Sequence, residues 1–315
     1  MTAAAFIAIG VRTGYPIPVA FALTAAMVGS GLALGGDPAY ATYRRIASFW
    51  IAVPFVSAAI AYGTATLLRR EDVPERVGVP LLGAVVGFII ANVRFSIIPG
   101  PTAGEQGTVA GYLSRQLDRS GPAIVGSFDA FMLLVSLAAG GVAFVGLRRS
   151  MQRSVESGIR RFLVGLGAIV AFSSGGSQVG LATGPLEPLF AEFGASGLVL
   201  LALGGTGILL GAWMGSPRLL QAVSREYSQL GVRRSIAALV PGFIVAQVAI
   251  ALGIPISFNN IIISSVIGSG LVVGSAGVSG RKIGVTVAAW LATLVGASAV
   301  AFGLYTALSA AVGGA

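Results

Sequence analysis

Cysteine and histidine are both absent from the 315 residues of this sequence. Their absence excludes disulfides, thiol nucleophiles, the usual zinc and copper sites and histidine proton relays. Charged residues are scarce as well, at 10% of the chain, against about 25% in a soluble domain. So few charges cannot cover a water-soluble surface, and few enzyme mechanisms work without cysteine and histidine. We therefore expect a membrane protein without enzymatic activity.

Apolar residues dominate what is present, at 55% of the chain with a mean hydropathy of +0.90. Nine segments approach the ~20 apolar residues that a helix needs to cross ~30 Å of hydrocarbon. Residues 1–12 look like part of a further helix. The pattern predicts an all-α, polytopic membrane protein. The predicted crossings are 15–34, 46–67, 79–98, 128–147, 163–186, 197–214, 235–252, 255–274 and 283–308.

The formal net charge of +9 comes from the polar connections, which indicates basic loops beside anionic lipid. No basic stripe alternates with aromatic residues, so we expect no nucleic-acid partner. Connections 148–161 and 217–234 are the most basic, and two predicted crossings separate them, so both lie on one side of the membrane. The positive-inside rule makes that side cytoplasmic. We predict a multi-pass protein of the cell membrane.

An internal repeat links the two ends of the chain. Residues 14–35 and 253–274 are identical at 8 of 22 positions, with a Gly-x-Pro-Ile start and a Gly-Ser-Gly-Leu end. Trp50 and Trp290 follow at nearly the same spacing, and we interpret both as anchors at the membrane interface. Seven predicted crossings lie between Gly14 and Gly253, the starts of the two copies, and an odd number gives the copies opposite orientations. Paired segments interrupted by Gly and Pro in an inverted repeat are typical of a secondary transporter's binding site.

The repeat divides the chain into three predicted parts. Residues 1–147 hold the first repeat with intervening helices, 148–161 form a basic cytoplasmic connection, and 162–315 hold the second repeat. A polar island at 173–178 would have its first-repeat counterpart before residue 1, so we expect the N-terminal part of the first repeat to be missing. The alternative to a transporter's inverted repeat is an ancient duplication in a membrane protein that transports nothing.

Two polar islands within apolar segments are the candidates for ligand binding. A helix that breaks at membrane depth leaves amides that point at one spot with partial positive charge, which suits an oxyanion. Serine hydroxyls add donors, and asparagine amides can donate to an anion or offer a carbonyl oxygen to a cation. Close helix packing through small residues is the structural alternative for the first island. The predicted substrate-binding residues are Ser173, Ser174, Gly176, Ser177, Gln178, Ser257, Asn259 and Asn260.

These islands resemble two motifs of the inorganic phosphate transporter (PiT) family. Residues 175–186 align without a gap to the signature G-A-N-D-V-A-N-A-x-G-P-L. Residues 253–260, with Gly268 and Gly270, are similar to G-L-P-V-S-T-T-H followed by G-x-G, and residues 14–21 are similar to the same motif. The resemblance implies symport of inorganic phosphate with sodium or protons, at a site between two inverted repeats that contain broken or re-entrant helices. A homodimer is a further expectation.

The chain departs from the family pattern at its charged position. Gln178 stands where the family has Asp, while Ser177 and Leu181 stand where it has Asn, so a charge that would balance a cation is lost. Asn259 and Asn260 occupy the second and third positions of the T-T-H run. Phosphate is therefore the first expectation for the anion, and sulfate or another oxyanion the second. A degenerate, non-transporting membrane component is the alternative of a different class.

Overall fold

A computed structural model of the chain describes residues 2–102, 105–194, 196–227, 231–274 and 278–313. This part of the chain is predominantly α-helical, as the sequence predicts. In chain order the helices are α1 (Thr2–Thr13), α2 (Val19–Ala33), α3 (Tyr40–Arg69), α4 (Glu75–Asn92), α5 (Val109–Gln116), α6 (Ala130–Arg153), α7 (Val155–Thr183), α8 (Glu187–Glu192), α9 (Gly197–Gln221), α10 (Val232–Ala251), α11 (Phe258–Leu271) and α12 (Gly280–Gly313).

Shorter elements complete the described chain. A 3-10 turn (Gly184–Leu186) follows α7, and a π-helical turn (Ala222–Tyr227) follows α9. Between α4 and α6, strands β1 (Arg94–Pro99) and β2 (Gln106–Thr108) form one antiparallel hairpin. Strands β3 (Ala123–Val125) and β4 (Phe128–Asp129) form another. Asp129 accepts a hydrogen bond from the Met132 amide at 2.8 Å and so caps the start of α6.

Seven helices in the described residues are long and apolar enough to cross a membrane: α3, α4, α6, α7, α9, α10 and α12. The predicted crossings at 15–34 and 255–274 are wrong as full spans. Their helices, α2 and α11, have only 15 and 14 residues, or about 21–23 Å at 1.5 Å per residue, short of ~30 Å of hydrocarbon. Each helix is short because an extended Pro-containing segment replaces its first turns. The broken helices that the sequence predicts therefore occur at these two places.

Helix α10 forms the centre of the packed bundle. Inside the protein, 61% of its apolar window is buried, against 6% for the corresponding windows of α7 and α9. Its residues Ile236, Val240 and Phe243 are almost fully buried, in one cluster shared with α3, α4, α6 and α7. Helix α11 folds back on α10, since Gly242 lies against Ser265. The bundle thus contains a tightly packed half around α10 and a more exposed half at α7 and α9.

The two copies of the repeat pack reciprocally. Helix α2 of the first copy lies on α12, and α11 of the second copy lies on α3. A methyl group added at Gly29 would overlap the carbonyl oxygen of Ser298, and one added at Gly268 would overlap that of Ala58. Gly29 and Gly268 occupy the same position in the two copies of the repeat, and each contacts the opposite copy. These are the contacts that two copies related by an approximate twofold axis would make, while their opposite orientation in the membrane stays a prediction.

A polar cluster anchors the link between α9 and α10 to the start of α12. Lys282, only 11% exposed, forms an ion pair of 2.5 Å with Glu226, and its ammonium lies 3.8 Å from the ring centre of Tyr15. The Tyr227 hydroxyl is 2.5 Å from that of Thr286. Burial raises the pKa of Tyr227, which lies outside the spans, to about 12. The cluster therefore joins the first copy, the link and the second copy.

Candidate anion-binding site

Two extended segments, 15–18 and 254–257, meet where the two copies of the repeat face each other. Gly14 and Gly253 precede them with φ values of +72° and +67°, a conformation that a residue with a Cβ rarely adopts. The amide after each glycine donates to the carbonyl five residues earlier, at 3.1 Å in both copies. This is the Schellman end of a helix, and the prolines that follow prevent the helix from continuing. The shared Gly-x-Pro sequence thus stops α1 and α10 in the same way.

Each extended segment is held by a tryptophan of the other copy. The indole N–H of Trp290 donates to the carbonyl of Pro16 at 3.0 Å, and that of Trp50 donates to the carbonyl of Pro255 at 2.7 Å. Trp290 is buried and Trp50 half-buried. The interpretation of both as membrane-interface anchors is therefore wrong. They supply hydrogen bonds to carbonyls that an extended segment would otherwise leave without a partner.

The start of α11 brings three predicted site residues together. Ser257 immediately precedes the helix and is buried, without a hydrogen bond from its side chain to the helix start. The Asn259 amide nitrogen donates to the carbonyl of Ile17 in the opposite copy at 3.2 Å. Asn260 is 3% exposed, and its side-chain oxygen has no hydrogen-bond partner among the described residues. A buried carbonyl oxygen without a donor is costly, which makes the Asn260 side chain a candidate ion ligand.

The start of α2 is the apolar counterpart of this tip. The repeat aligns Val19, Ala20 and Phe21 with the residues that begin α11. The Phe21 ring stacks on Trp50 with ring centres 4.1 Å apart, and it meets Trp290 edge-on at 6.3 Å. Phe21 is 4% exposed. The first copy therefore closes its tip with aromatic packing where the second copy presents amides.

The island at 173–178 lies inside α7, which continues without a break from Val155 to Thr183. The expectation that this island breaks a helix is wrong, because small residues can remain helical when the helix supplies its own backbone hydrogen bonds. Its amides are consequently not free to bind an anion. The glycines do not serve close packing either. A methyl group added at Gly175 or Gly176 would meet no described neighbour within 4 Å.

The side chains of the island still provide polar groups. Ser173 accepts a hydrogen bond from the side-chain nitrogen of Gln247 on α10 at 2.6 Å. Gln178 has a buried side-chain oxygen without a partner in the described residues, like that of Asn260. Ser174 and Ser177 are half-buried, and Gly176 is exposed.

The predicted site residues thus form two groups. Ser173 and its neighbours lie on α7, which packs against α10 and α2. Ser257, Asn259 and Asn260 lie at the start of α11, against segment 15–18. No hydrogen bond within the described residues joins the two groups directly. All eight predicted residues are uncharged, so any contact of theirs with an ion would be through dipoles.

Gln247 is a candidate that the sequence analysis missed. It lies in the apolar helix α10, is 9% exposed, and reaches the first island through its hydrogen bond to Ser173. A polar side chain in the middle of a predicted crossing is itself a signal of function. That signal was present in the sequence, although nothing in it indicated Ser173 as the partner.

Comparison with known proteins decides the family. The model of the phosphate transporter family matches residues 1–301, nearly the whole chain. The chain belongs to the phosphate transporter family. Membership confirms the resemblance that the two motifs carry, and the family is one of transporters rather than enzymes. With seven membrane-spanning helices in its described part, this family member is a multi-pass membrane protein. The kind of membrane stays a prediction.

Several relatives are similar over most of this chain. The chloroplastic inorganic phosphate transporter 2-1 of Arabidopsis thaliana is 25% identical over 90% of the chain, which spans 54% of that protein's length. A candidate phosphate permease of Chlamydia trachomatis is 23% identical over 94% of the chain and 75% of its own length. One of Pyrococcus furiosus is 24% identical over 98% and 75%. The chain thus spans about half to three quarters of these relatives.

A solved structure shares the fold. It is described as the sodium-dependent phosphate transporter, and it matches 98% of this chain with a TM-score of 0.77. The chain covers 77% of that protein, at 20% sequence identity. At 20% identity, the similarity shows that the two proteins share the arrangement of their helices. It supports the predicted architecture, a polytopic helical membrane protein with broken helices.

Proposed function

We propose that this protein carries inorganic phosphate across its membrane by symport with a cation, and that both ions bind between α7, α10, the start of α11 and segment 15–18. One observation carries the proposal. Two amide oxygens, those of Gln178 and Asn260, are buried without hydrogen-bond donors among the described residues, within the two motifs that resemble the family's signatures.

The two unpaired oxygens suit the cation. Leaving a buried polar atom without a partner costs about 1–3 kcal/mol, and such groups persist where a ligand supplies the missing interaction. Amide oxygens are hard, neutral ligands of the kind that small metal cations accept. Gln178 occupies the position of the family's Asp, so its oxygen supplies a ligand without the charge. We expect weaker cation binding as a result.

Hydroxyl and amide donors suit the phosphate. Ser257, Ser174 and Ser177 offer hydroxyls, and Asn259 keeps one amide hydrogen beyond the one that it donates to Ile17. The first amides of α11 carry the partial positive charge of a helix start. In secondary transporters, the starts of half-helices near the bilayer midplane face anionic substrates. The open space beside Gly175 and Gly176 would let an oxyanion approach α7.

The chemistry of these side chains favours sodium over a proton as the coupling ion. Proton coupling through the protein requires a titratable group, and the eight residues contain none. A proton could still travel on phosphate itself, as the singly charged form. We therefore propose sodium as the coupling ion. The test includes a proton gradient as the alternative driving force.

Uptake of radiolabelled phosphate by the purified protein in liposomes tests the proposal. We expect uptake to follow an imposed sodium gradient and to be lost in the Ser177→Ala/Gln178→Ala variant. Thr206→Val is the matched control, because Thr206 lies exposed on α9 and bonds only its own helix. This variant should transport like the parent protein.

Other outcomes would identify the alternatives. Uptake driven only by a proton gradient would reject sodium coupling. Strong competition by sulfate without phosphate uptake would make another oxyanion the substrate. If no gradient drives any oxyanion, the protein is a non-transporting membrane component, a reading that the loss of the acidic residue at Gln178 would then explain. A homodimer is not required for the proposed site and stays a prediction.

A further inference from the structure

We propose that the crevice between the starts of α4, α7 and α10 binds an anionic phospholipid of the cytoplasmic leaflet. The crevice has a volume of about 560 Å³, within the range of small-molecule sites. It is independent of the transport site proposed above, since none of the eight predicted residues lines it. The three helices contact one another around it.

The crevice combines an apolar floor with a charged rim. Ile159, Leu163 and Val164 of α7 form most of the floor, and Val164 is 68% exposed. This floor continues along the apolar surface of a spanning helix, so the crevice opens sideways towards the hydrocarbon. Arg160 and Arg233 stand at the rim. An acyl chain on the floor and a phosphate group at the rim would match both parts.

The two arginines differ in their partners. Arg233 forms an ion pair with Glu75 at the start of α4. Arg160 is exposed and has no hydrogen bond or ion pair with any described residue. Guanidinium groups match phosphate oxygens with two parallel hydrogen bonds. Arg160 is therefore the group that is free to hold a lipid phosphate.

The charge around the crevice is complementary to an anionic membrane surface. Glu75 and Glu156 also line it, but Glu75 is paired and Glu156 lies in the first turn of α7, where the helix start offsets its charge. Further arginines stand at the same end, on the last two turns of α6 and the first two turns of the three helices. They are Arg76, Arg148, Arg149, Arg153, Arg161 and Arg234. Basic pockets between spanning helices on the cytoplasmic side are typical sites for anionic lipid head groups.

The apolar floor distinguishes a lipid from a free phosphate ion. Inorganic phosphate could use only the rim, because it has no apolar part to occupy the floor. A phospholipid can place its acyl chain on the floor as well as its phosphate at the rim, so it matches both parts of the crevice. The observations therefore favour the lipid.

Native mass spectrometry and thermal unfolding of the purified protein in neutral detergent test the proposal. Phosphatidylglycerol is the probe, and phosphatidylcholine, glycerol 3-phosphate and inorganic phosphate are the comparison ligands. We expect phosphatidylglycerol alone to bind and to raise the unfolding temperature. Arg160→Gln should weaken its binding about fivefold, the contribution of one arginine beside an anionic surface. Arg44→Gln is the matched control, an exposed arginine of α3 that lines no part of the crevice.

Three outcomes would overturn the lipid assignment. Equal binding of phosphatidylcholine would make the crevice a non-selective apolar groove. Unchanged phosphatidylglycerol binding in Arg160→Gln would move the lipid elsewhere. Stabilisation by inorganic phosphate or glycerol 3-phosphate that is lost in Arg160→Gln would make the crevice a phosphate subsite. Because Arg160 has no partner to lose, its replacement should not disturb the fold, and an unchanged unfolding temperature without lipid checks this.

Discussion

The first copy of the repeat carries an apolar tip at Phe21, and the second copy carries a polar tip at Asn259 and Asn260. The surroundings of the two tips are nearly the same. Each follows a glycine with positive φ and a proline, and each is held by a tryptophan of the other copy. The comparison separates the residues that shape the backbone from the residues that supply polar groups. Glycine, proline and tryptophan set the backbone of both tips, while the first residues of the short helix make one tip apolar and the other polar.

The largest effect should come from the scaffold glycines that touch the opposite copy. Gly29→Ala and Gly268→Ala would each drive a methyl group into a helix backbone. Since a backbone cannot move aside as a side chain can, we expect a loss of more than about 3 kcal/mol in each variant. Gly63→Ala, with open space beside it, should be neutral or slightly stabilising. Yield and unfolding temperature in detergent measure this, and tolerance in only one copy would contradict the equivalence of the two contacts.

The next effect should fall on the polar tip alone. Asn260→Leu removes the unpaired amide oxygen, so we expect gradient-driven phosphate uptake to fall by at least about 100-fold, more than the loss of an outer-shell group costs a metal site. Stability should not fall, because a buried oxygen without a donor is removed. Liposome uptake and thermal unfolding of the same preparation check both halves. Undiminished uptake would exclude Asn260 as an ion ligand.

The apolar tip should respond in the opposite way. Phe21→Ala empties the space between Trp50 and Trp290, and we expect a loss of about 3–5 kcal/mol, as for other buried phenylalanines. Phe21→Leu should recover most of the stability, and it should transport if the first tip serves packing only. Denaturation of the three proteins measures the stability difference. A stable Phe21→Leu protein without uptake would instead show that the first tip contributes to binding.

The loss of stability on replacing each tryptophan should depend on how deeply that tryptophan is buried. Trp50→Phe and Trp290→Phe each remove one indole N–H, and each leaves a proline carbonyl without its donor. We expect a loss of about 1–3 kcal/mol for Trp290 and less for Trp50, because water can replace the donor more easily at the half-buried position. Trp213→Phe, 89% exposed on α9, is the control and should change stability by less than about 0.5 kcal/mol. Equal costs for Trp50 and Trp290 would argue against the role of burial.

The smallest effect concerns Tyr227. Its pKa is raised to about 12 in the folded protein, so the folded state keeps the phenol proton after the unfolded chain has lost it. Stability should be unaffected by this group below pH 10 and should decline between pH 10 and 12. We expect the unfolding temperature of the parent protein to drop by ~2 °C more than that of Tyr227→Phe between pH 10 and 11. Parallel curves for the two proteins would contradict this assignment.

Much of the fold could be predicted from hydropathy and spacing, but its details depend on tertiary contacts. The spans and the repeat follow from apolar length and recurring Gly-x-Pro, which act locally. The short lengths of α2 and α11 could not be read from hydropathy, because their extended segments are as apolar as the helices. The pairing of Gln247 with Ser173 joins positions 74 residues apart. Helix α7 continues through its polar island because its own backbone hydrogen bonds are kept. Local sequence cannot predict this, since it does not show whether a neighbouring group will compete for those bonds.

The partner of the first extended segment is synthesised long after the segment itself. The carbonyl of Pro16 receives its hydrogen bond from a residue 274 positions later, after helices α2 to α11 have been synthesised. Until then, this segment has an unsatisfied carbonyl in or near hydrocarbon, where such groups cost several kcal/mol. Contacts of such long sequence separation form slowly. During biogenesis, we therefore expect a membrane chaperone or water retained around the nascent helices to stabilise this segment until Trp290 is in place.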